Sequence, residues 1–197
     1  MGAKPFATFA LGLIAGLLIP ALVVYGYFRF GYAPVATAAP PIPFEKTAAR
    51  MALRARIAKE APTTVPLQAD EPNLLGGAKV FRENCAVCHS QPKRPPTAIA
   101  NGMYPTPPHL FDDPVTDDPV GMTYWKATNG IRMTGMPAFR SSLSDTQRWQ
   151  VSLMLAAADK LSPAVQEVLS APLTEPPGAG EQHDQTESIS PHASRRR

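Results

Sequence analysis

Residues 85 to 89 read CAVCH, and these two cysteines are the only ones in the chain. Four kinds of site use such a group: a redox dithiol, half of a zinc site, a structural disulfide, or covalently attached haem. A thioredoxin-type dithiol lies between a strand and a helix, and no parallel-sheet pattern surrounds the motif. Zinc needs four ligands, and His109 is the one further candidate ahead of the polar C-terminal tail. A disulfide between residues three apart closes a very small loop and stabilises little.

Haem attachment is the chemistry that uses the whole motif. The thiols of Cys85 and Cys88 lie three residues apart, so on one turn they can add to the two vinyl groups of haem. His89 can then bind the iron as the proximal ligand. Because the motif is short and can occur by chance, it indicates haem attachment only if later residues complete the site.

A further iron ligand is offered by the stretch GIRMTGMPAF at residues 130 to 139. Met136 stands between a glycine, which allows close approach of the backbone, and a proline, which restrains the local chain. We therefore predict Met136 as the axial ligand. Met133, His109 and an open iron are the alternatives.

The elements that hold these residues are predicted to be helices, and no stretch of the domain has a convincing strand pattern. Between the motif and the methionine, residues 90 to 117 are rich in proline and are predicted to be irregular. The predicted helix starts are Asn73, Asp118-Pro119, Ser144 with Gln147 as a capping box, and Ser162-Pro163. The predicted fold class is all-α, with three or four helices around the candidate site.

The N-terminal segment from Phe6 to Phe28 contains no charged residue. As a helix it would extend about 35 Å, which is enough to cross a hydrocarbon core of about 30 Å. A cleaved signal peptide with Ala36-Thr37-Ala38 as its cleavage site is the alternative, although its apolar core would be shorter. We predict a single uncleaved transmembrane helix.

Composition divides the chain into four parts. Residues 1–32 are predicted to form the membrane anchor, 33–72 a proline-rich linker, 73–171 the domain that carries CAVCH, and 172–197 a disordered tail. Residues 44–60 of the linker are predicted to form a basic amphipathic helix, which could be a solvated spacer or could contact anionic lipid or a partner subunit. Its apolar residues are Phe44, Ala48, Met51, Ala55 and Ala58.

The net charge of +3 is unevenly spread along the chain. Residues 1 to 69 carry 7 basic and 2 acidic side chains, whereas residues 70 to 171 carry 9 basic and 10 acidic ones. A nucleic-acid-binding domain would concentrate basic residues on itself, so the charge pattern argues against that function.

With these residues identified, the chain resembles a membrane-anchored monohaem class I c-type cytochrome. The resemblance covers roughly residues 73 to 160 and rests on four landmarks in the order that the family has them. They are Gly77 and Phe81 ahead of CAVCH, PPHL at 107–110, GMPAF at 135–139, and Trp149 in a later helix. The resemblance implies a small class I cytochrome c fold around one covalently attached haem c.

The family's roles carry over by position. The resemblance implies thioether links at Cys85 and Cys88, iron ligation by His89 and Met136, a hydrogen bond from His89 to the carbonyl of Pro108, and haem contact by Leu110. It also implies that Gly77 lets the first helix of the domain cross the last one closely, with Phe81 and Trp149 packed there.

The resemblance implies an electron carrier rather than an enzyme, because two protein ligands leave the iron no open position for a substrate. It places the protein in the bacterial inner membrane, single-pass, with the haem domain in the periplasm. The expected partners are the membrane and redox complexes that donate and accept single electrons in respiration or photosynthesis, with no nucleic acid and no small-molecule substrate.

Two other functions are left open by the sequence. One is a fixed haem c subunit of a larger membrane oxidoreductase, such as a dehydrogenase, a quinol-oxidising complex or an oxidase. The other is a ligand-binding or peroxide-reducing haem protein, which would require Met136 to be absent from the iron.

Overall fold

The computed structural model describes residues 3–112 and 115–173, and these residues contain eight helices and no strand. The helices are α1 (Ala3–Arg29), α2 (Glu45–Glu60), α3 (Glu71–Asn84), α4 (Ala86–His89), α5 (Ala98–Asn101), α6 (Val120–Asn129), α7 (Asp145–Ala156) and α8 (Pro163–Ser170). The predicted all-α fold is confirmed. Of the tail predicted to be disordered, residues 174–197 lie outside the described residues.

The hydrophobic core lies where α3 packs against α7 and α8. All three helices present apolar side chains at helical spacing, and these side chains are almost completely removed from solvent. The core includes Ala78, Phe81, Met154, Val165 and Leu169. Because CAVCH follows α3 directly, this packing sets the position of the candidate site.

Gly77 allows α3 and α7 to cross at short range. A Cβ atom at this position would lie 2.2 Å from the carbonyl oxygen of Gln150 and 2.7 Å from the Cβ of Met154. The close crossing expected between the helix of Gly77 and the helix of Trp149 is therefore present, between α3 and α7.

The aromatic packing differs from the expectation, which placed Phe81 and Trp149 together at this crossing. Phe81 meets Phe111 edge-on, with 5.2 Å between ring centroids. Trp149 instead stacks on Tyr124 of α6, with 3.9 Å between ring centroids. The reason is geometric: Trp149 precedes Gln150, so it points about 100° around the helix from the residue that meets Gly77.

The helix starts agree only in part with the predicted caps: Ser162 caps α8, whereas Pro119 is the N-cap residue of α6 and Asp118 does not cap that helix. Ser144 and Gln147 form the predicted capping box at the start of α7. The predicted cap of α3 at Asn73 is wrong, because Asp70 is the N-cap and accepts a hydrogen bond of 3.1 Å from the backbone N–H of Asn73. Pro72 then lies in the first turn, where the N–H that proline lacks would have no helical partner.

The N-terminal helix α1 is long and apolar enough to cross a membrane over Phe6–Arg29, where its mean hydropathy is 2.4. Its large apolar side chains, such as Phe9 and Leu17, are exposed and make no core of their own. These properties make α1 a candidate membrane anchor. A signal sequence near the N-terminus has the same length and composition.

Helix α2, which the sequence places within a linker, packs against the domain. Ile57 is only 2% exposed. The indole N–H of Trp125 in α6 donates a hydrogen bond of 3.2 Å to the carboxylate of Glu60. Pro62 lies so close to Gly121 that a Cβ there would meet the Pro62 carbonyl oxygen at 1.9 Å. The end of α2 and the chain leaving it therefore form part of the domain surface.

Candidate haem site

The two cysteines lie on a single turn of helix. Cys85 is the first residue outside α4, and its carbonyl accepts hydrogen bonds from the backbone N–H groups of Cys88 at 3.1 Å and His89 at 2.9 Å. Both thiols are free. Burial and the neighbouring Cys88 sulfur raise the pKa of Cys85 to about 12, and burial raises the pKa of Cys88.

His89 is oriented by the backbone of the proline-rich loop. Its Nδ1 lies 2.9 Å from the carbonyl oxygen of Pro108, and because a carbonyl only accepts, Nδ1 carries the proton and donates. This bond leaves Nε2 as the nitrogen with a free lone pair, which is what a metal requires. Burial lowers the pKa of His89, the bond to Pro108 acts in the opposite direction, and His109 lowers it further.

The loop that carries Pro108 is held by two hydrogen bonds, of which the first joins it to the motif and the second closes the loop on itself. Thr97 donates from Oγ1 to the carbonyl of Val87, inside CAVCH, at 2.6 Å. The Nε2 of His109 donates to the carbonyl of Arg94 at 3.0 Å. These contacts close the loop on itself and hold the Pro108 carbonyl opposite His89.

Gln91 ties the segment after the motif to the last described helix. Its buried side-chain amide donates to the carbonyl of Leu169 at 2.7 Å and to that of Ala171 at 2.6 Å. These carbonyls have no helical donor, because they lie at the end of α8. Sequence reasoning missed this residue, since nothing local connects a glutamine after CAVCH to a helix 78 residues further along the chain.

Leu110 and Phe111 connect the same loop to the core. Both are half-buried and pack against the core cluster, and Phe111 contacts Phe81 of α3. Leu110 therefore joins the loop to the core two residues after Pro108, whose carbonyl orients His89.

Met136 lies in a tight loop between α6 and α7 and is half-buried. Its backbone N–H donates to Oγ1 of Thr134 at 3.1 Å, and that hydroxyl donates to the carbonyl of Ile131 at 2.7 Å. The N–H of Ile131 in turn donates to the carbonyl of Met136 at 3.2 Å. Met133, the alternative ligand, is 92% exposed at the outside of this turn. Thr134 was not singled out from the sequence, although it closes the turn.

Two glycines allow the methionine loop to pack closely. Gly130 has φ +64°, and a Cβ there would meet the carbonyl oxygen of Met136 at 2.8 Å. The methyl group of Met103 occupies the space where Gly135 would carry its side chain, with 1.8 Å between the two positions. Met103 belongs to the proline-rich loop, so the loops on either side of α6 contact each other beside Met136.

The donor set fits a c-type haem. Two thiols on one turn, an imidazole with Nδ1 already bonded and Nε2 free, and a thioether in a restrained loop are the groups that such a haem uses. Two buried polar atoms of the proline-rich loop also have no hydrogen-bond partner among the described residues, namely the Tyr104 hydroxyl and the Nδ1 of His109. The carboxylate of Asp112 lies 3.5 Å from that Nδ1, outside hydrogen-bonding geometry. Groups of this kind usually bond to water or a bound molecule.

A separate polar cleft lies between the end of α2 and helices α6 and α7. Its lining includes none of the predicted site residues. Tyr124 donates to the carboxylate of Asp145, which also accepts from the guanidinium of Arg148 at 3.0 Å. The hydrogen bond from Tyr124, with help from Arg148, lowers the pKa of Asp145. This cluster joins α6 to α7.

Comparison with known proteins identifies the domain. Residues 72–153 match the family model described as cytochrome C oxidase, cbb3-type, subunit III. One solved structure with a detectable match is the reducing HAO-like protein complex of Kuenenia stuttgartiensis, at 23% identity and a TM-score of 0.41. That match covers 49% of this chain and 48% of the other, so the chain spans about half the length of that relative. No curated protein matches the chain.

The family match covers α3, the CAVCH turn, the proline-rich loop, the methionine loop and most of α7. A domain of this family implies a c-type haem and points to electron transfer. Residues 72–153 of this chain therefore match a class I c-type cytochrome domain.

Proposed function

We propose that the protein is a membrane-tethered electron-transfer cytochrome with one haem c bound through Cys85 and Cys88. His89 and Met136 are the two protein ligands of the iron. When bound, the haem supplies a one-electron redox centre. The protein's part is to hold both ligands in place in the two oxidation states, so that little rearrangement opposes electron transfer.

The observation that carries this proposal is the hydrogen bond of 2.9 Å from His89 to Pro108. It fixes the tautomer and the ring orientation of a histidine that directly follows two free thiols on one turn. The same bond raises the electron density on Nε2 and so favours iron ligation.

Met136 is supported by the geometry of its loop. Three hydrogen bonds and Gly130 restrain the loop, whereas the rival Met133 is almost fully exposed on the outside of the turn. A restrained thioether loses little conformational freedom when it binds iron. Exposed Met133 would have to leave the turn to do so.

Substitution of the two methionines tests the ligand assignment. We expect ferric Met136→Ala to lose the weak far-red absorption band of methionine-ligated haem, and Met133→Ala to keep it. The haem content of both variants is measured from the pyridine haemochrome spectrum as a control for attachment. The assignment fails if Met136→Ala keeps the band and Met133→Ala loses it. It also fails if neither substitution affects the band.

The remaining parts of the chain follow from this function. Residues 1–32 form an uncleaved anchor, and residues 73–171 form the haem domain in the periplasm, where haem is joined to c-type cytochromes. The linker 33–72 contributes α2 to the surface of that domain. The protein would exchange electrons with redox complexes and bind neither nucleic acid nor a small substrate. A tether of this kind raises the effective concentration of the domain near membrane partners.

A fixed subunit of a larger membrane oxidoreductase is the second candidate function. It is favoured by the description of the matching family, which names an oxidase subunit. A native gel of gently solubilised membranes, stained for haem, separates the two candidates. Migration near 21.2 kDa plus bound detergent supports the tethered shuttle, whereas migration with a large assembly supports the fixed subunit.

A further inference from the structure

Helix α2 contacts the domain near both of its ends. Near the C-terminal end, Ile57 is buried and Glu60 accepts the hydrogen bond from Trp125. Near the N-terminal end, the ammonium group of Lys46 lies 5.7 Å from the centre of the Tyr104 ring, within the range of a cation–π interaction. The helix is therefore held along its length, and its outward face has a defined direction relative to the haem domain.

That outward face carries the apolar residues that the sequence singled out. A spacing of three, four and three residues places the four that lie within α2 on one side of the helix, away from Ile57, and Phe44 precedes them as the N-cap residue. All of them are exposed, including Phe44 at 83% and Met51 at 68%. We call this surface the outer stripe, formed by Phe44, Ala48, Met51, Ala55 and Ala58.

Cations lie along both edges of the outer stripe. Arg54 neighbours Met51 and Ala58, and Lys59 neighbours Ala55, because residues three and four apart are adjacent on a helix. Arg50, one turn before Arg54, lies further from the stripe and nearer to the side of Ile57. Within the described part of the chain, none of these three cations takes part in an ion pair, whereas Arg56 is paired with Glu60. The surface is thus weakly apolar with unpaired positive charge at its borders.

This combination fits an anionic lipid surface better than a protein partner. Stable protein interfaces depend on large anchors such as tryptophan and tyrosine, and three of the five stripe residues are alanines. Lipid headgroups need only shallow apolar contact and flanking basic residues. A membrane would also be within reach, because residues 30–44 between α1 and α2 can extend at most about 50 Å.

We propose that the outer stripe of α2 lies on the anionic surface of the membrane that holds α1, and that this contact orients the haem domain. The inference rests on the proposed function, in which α1 spans the membrane. Because α2 is fixed to the domain, contact of the stripe with lipid restricts how the domain can turn above the membrane. The electron carrier then presents one side to its partners instead of turning freely.

A fluorescent label at Met51 tests the contact in the full-length haem-loaded protein. Met51→Cys gives one reactive thiol, since the two native cysteines are bonded to haem under the proposed function. Ala164→Cys, at an exposed position on α8, is the matched control. Each labelled protein is placed in vesicles of phosphatidylcholine, with or without phosphatidylglycerol, that carry a lipid-borne quencher. Flotation of the vesicles shows whether α1 anchors the protein.

We expect quenching of the label at position 51 in anionic vesicles, much less in neutral vesicles, and none at position 164. Arg54→Gln and Lys59→Gln should each lower the ratio of docked to undocked protein about fivefold at low salt. If the protein floats with anionic vesicles but the label at position 51 is not quenched, this inference is wrong. The tether through α1 would then still stand. Equal quenching in both lipids overturns the role of charge. Failure of the protein to float overturns the tether, and the inference falls with it.

Discussion

Substitution of Gly77 by alanine gives a direct test of the helix crossing that supports the candidate site. The added Cβ would lie 2.2 Å from the backbone carbonyl oxygen of Gln150, whereas ordinary contact begins at 3.4 Å. The difference, 3.4 − 2.2 = 1.2 Å, is how far α3 and α7 would have to separate along this contact. The obstructing atom belongs to the backbone, so no side-chain rotation can relieve it.

The size of the effect follows from two opposing terms. Overpacking a core costs about 1–3 kcal/mol, and the rigid contact places Gly77→Ala at the upper end, about 3 kcal/mol. Alanine is a better helix former than glycine by about 1 kcal/mol. The expected loss of stability is therefore about 2 kcal/mol, which for a domain of this size lowers the midpoint of thermal unfolding by roughly 10 °C.

Gly76→Ala is the matched control, because it makes the same change one residue earlier in the same helix. Its Cβ would meet only the side-chain amide of Gln150, at 2.8 Å. That side chain can rotate, at the cost of its hydrogen bond of 3.1 Å to Asn73. A hydrogen bond of this kind contributes about 1 kcal/mol, so the gain in helix propensity offsets the loss. We expect Gly76→Ala to leave stability nearly unchanged.

The assay is thermal unfolding of the two haem-loaded variants in detergent, followed by circular dichroism at 222 nm. The haem content of both variants is measured from the pyridine haemochrome spectrum. Equal haem content shows that two fully haem-loaded proteins are being compared. If Gly77→Ala proves as stable as Gly76→Ala, then the crossing of α3 and α7 is not the tight contact that the structure describes, and the argument for Gly77 is refuted.

Two further substitutions probe contacts that the sequence did not reveal. Gln91→Ala leaves the carbonyls of Leu169 and Ala171 buried without a donor, so we expect a loss of about 1–3 kcal/mol in urea unfolding; an unchanged midpoint would contradict this. Tyr124→Phe removes the hydrogen bond that lowers the pKa of Asp145, so this pKa should rise towards its ordinary value of 3.8 in an NMR titration. A carboxyl group whose pKa is lowered by folding stabilises the fold at pH values above its ordinary pKa. This contribution to the free energy of unfolding is lost as the pH falls below that pKa. The stability difference between the parent protein and Tyr124→Phe should therefore be present at neutral pH and shrink in acid, and a constant difference would count against it.

What the sequence could predict was local. The turn at CAVCH and the capping box at Ser144 depend on residues at most four positions apart, and both are in the structure. The all-α fold follows from the same kind of signal. The error at Asn73 is also local: Asp70 is an equally good cap, and Pro72 marks the first turn, so the two signals together point to the earlier start.

Contacts between distant residues could not be predicted in this way. The hydrogen bond from Gln91 joins residues 78 positions apart, and the stacking of Trp149 on Tyr124 depends on how two helices are turned towards each other. The contact between His89 and Pro108 is also distant, and the family resemblance was needed to anticipate it. Spacing alone would not have selected one carbonyl among those of the proline-rich loop.

The face of α2 shows why periodicity alone does not reveal packing. The apolar residues of the outer stripe have the spacing of a buried helix face, yet four of them are alanine or methionine and all remain exposed. Ile57, a single residue outside that pattern, is the one that is buried. Ile57 meets the domain near the C-terminal end of α2, so the spacing predicts that the helix has an apolar face but not which face the domain covers. The periodic face is left for a contact that the domain itself does not supply, which is the physical basis for assigning it to the membrane.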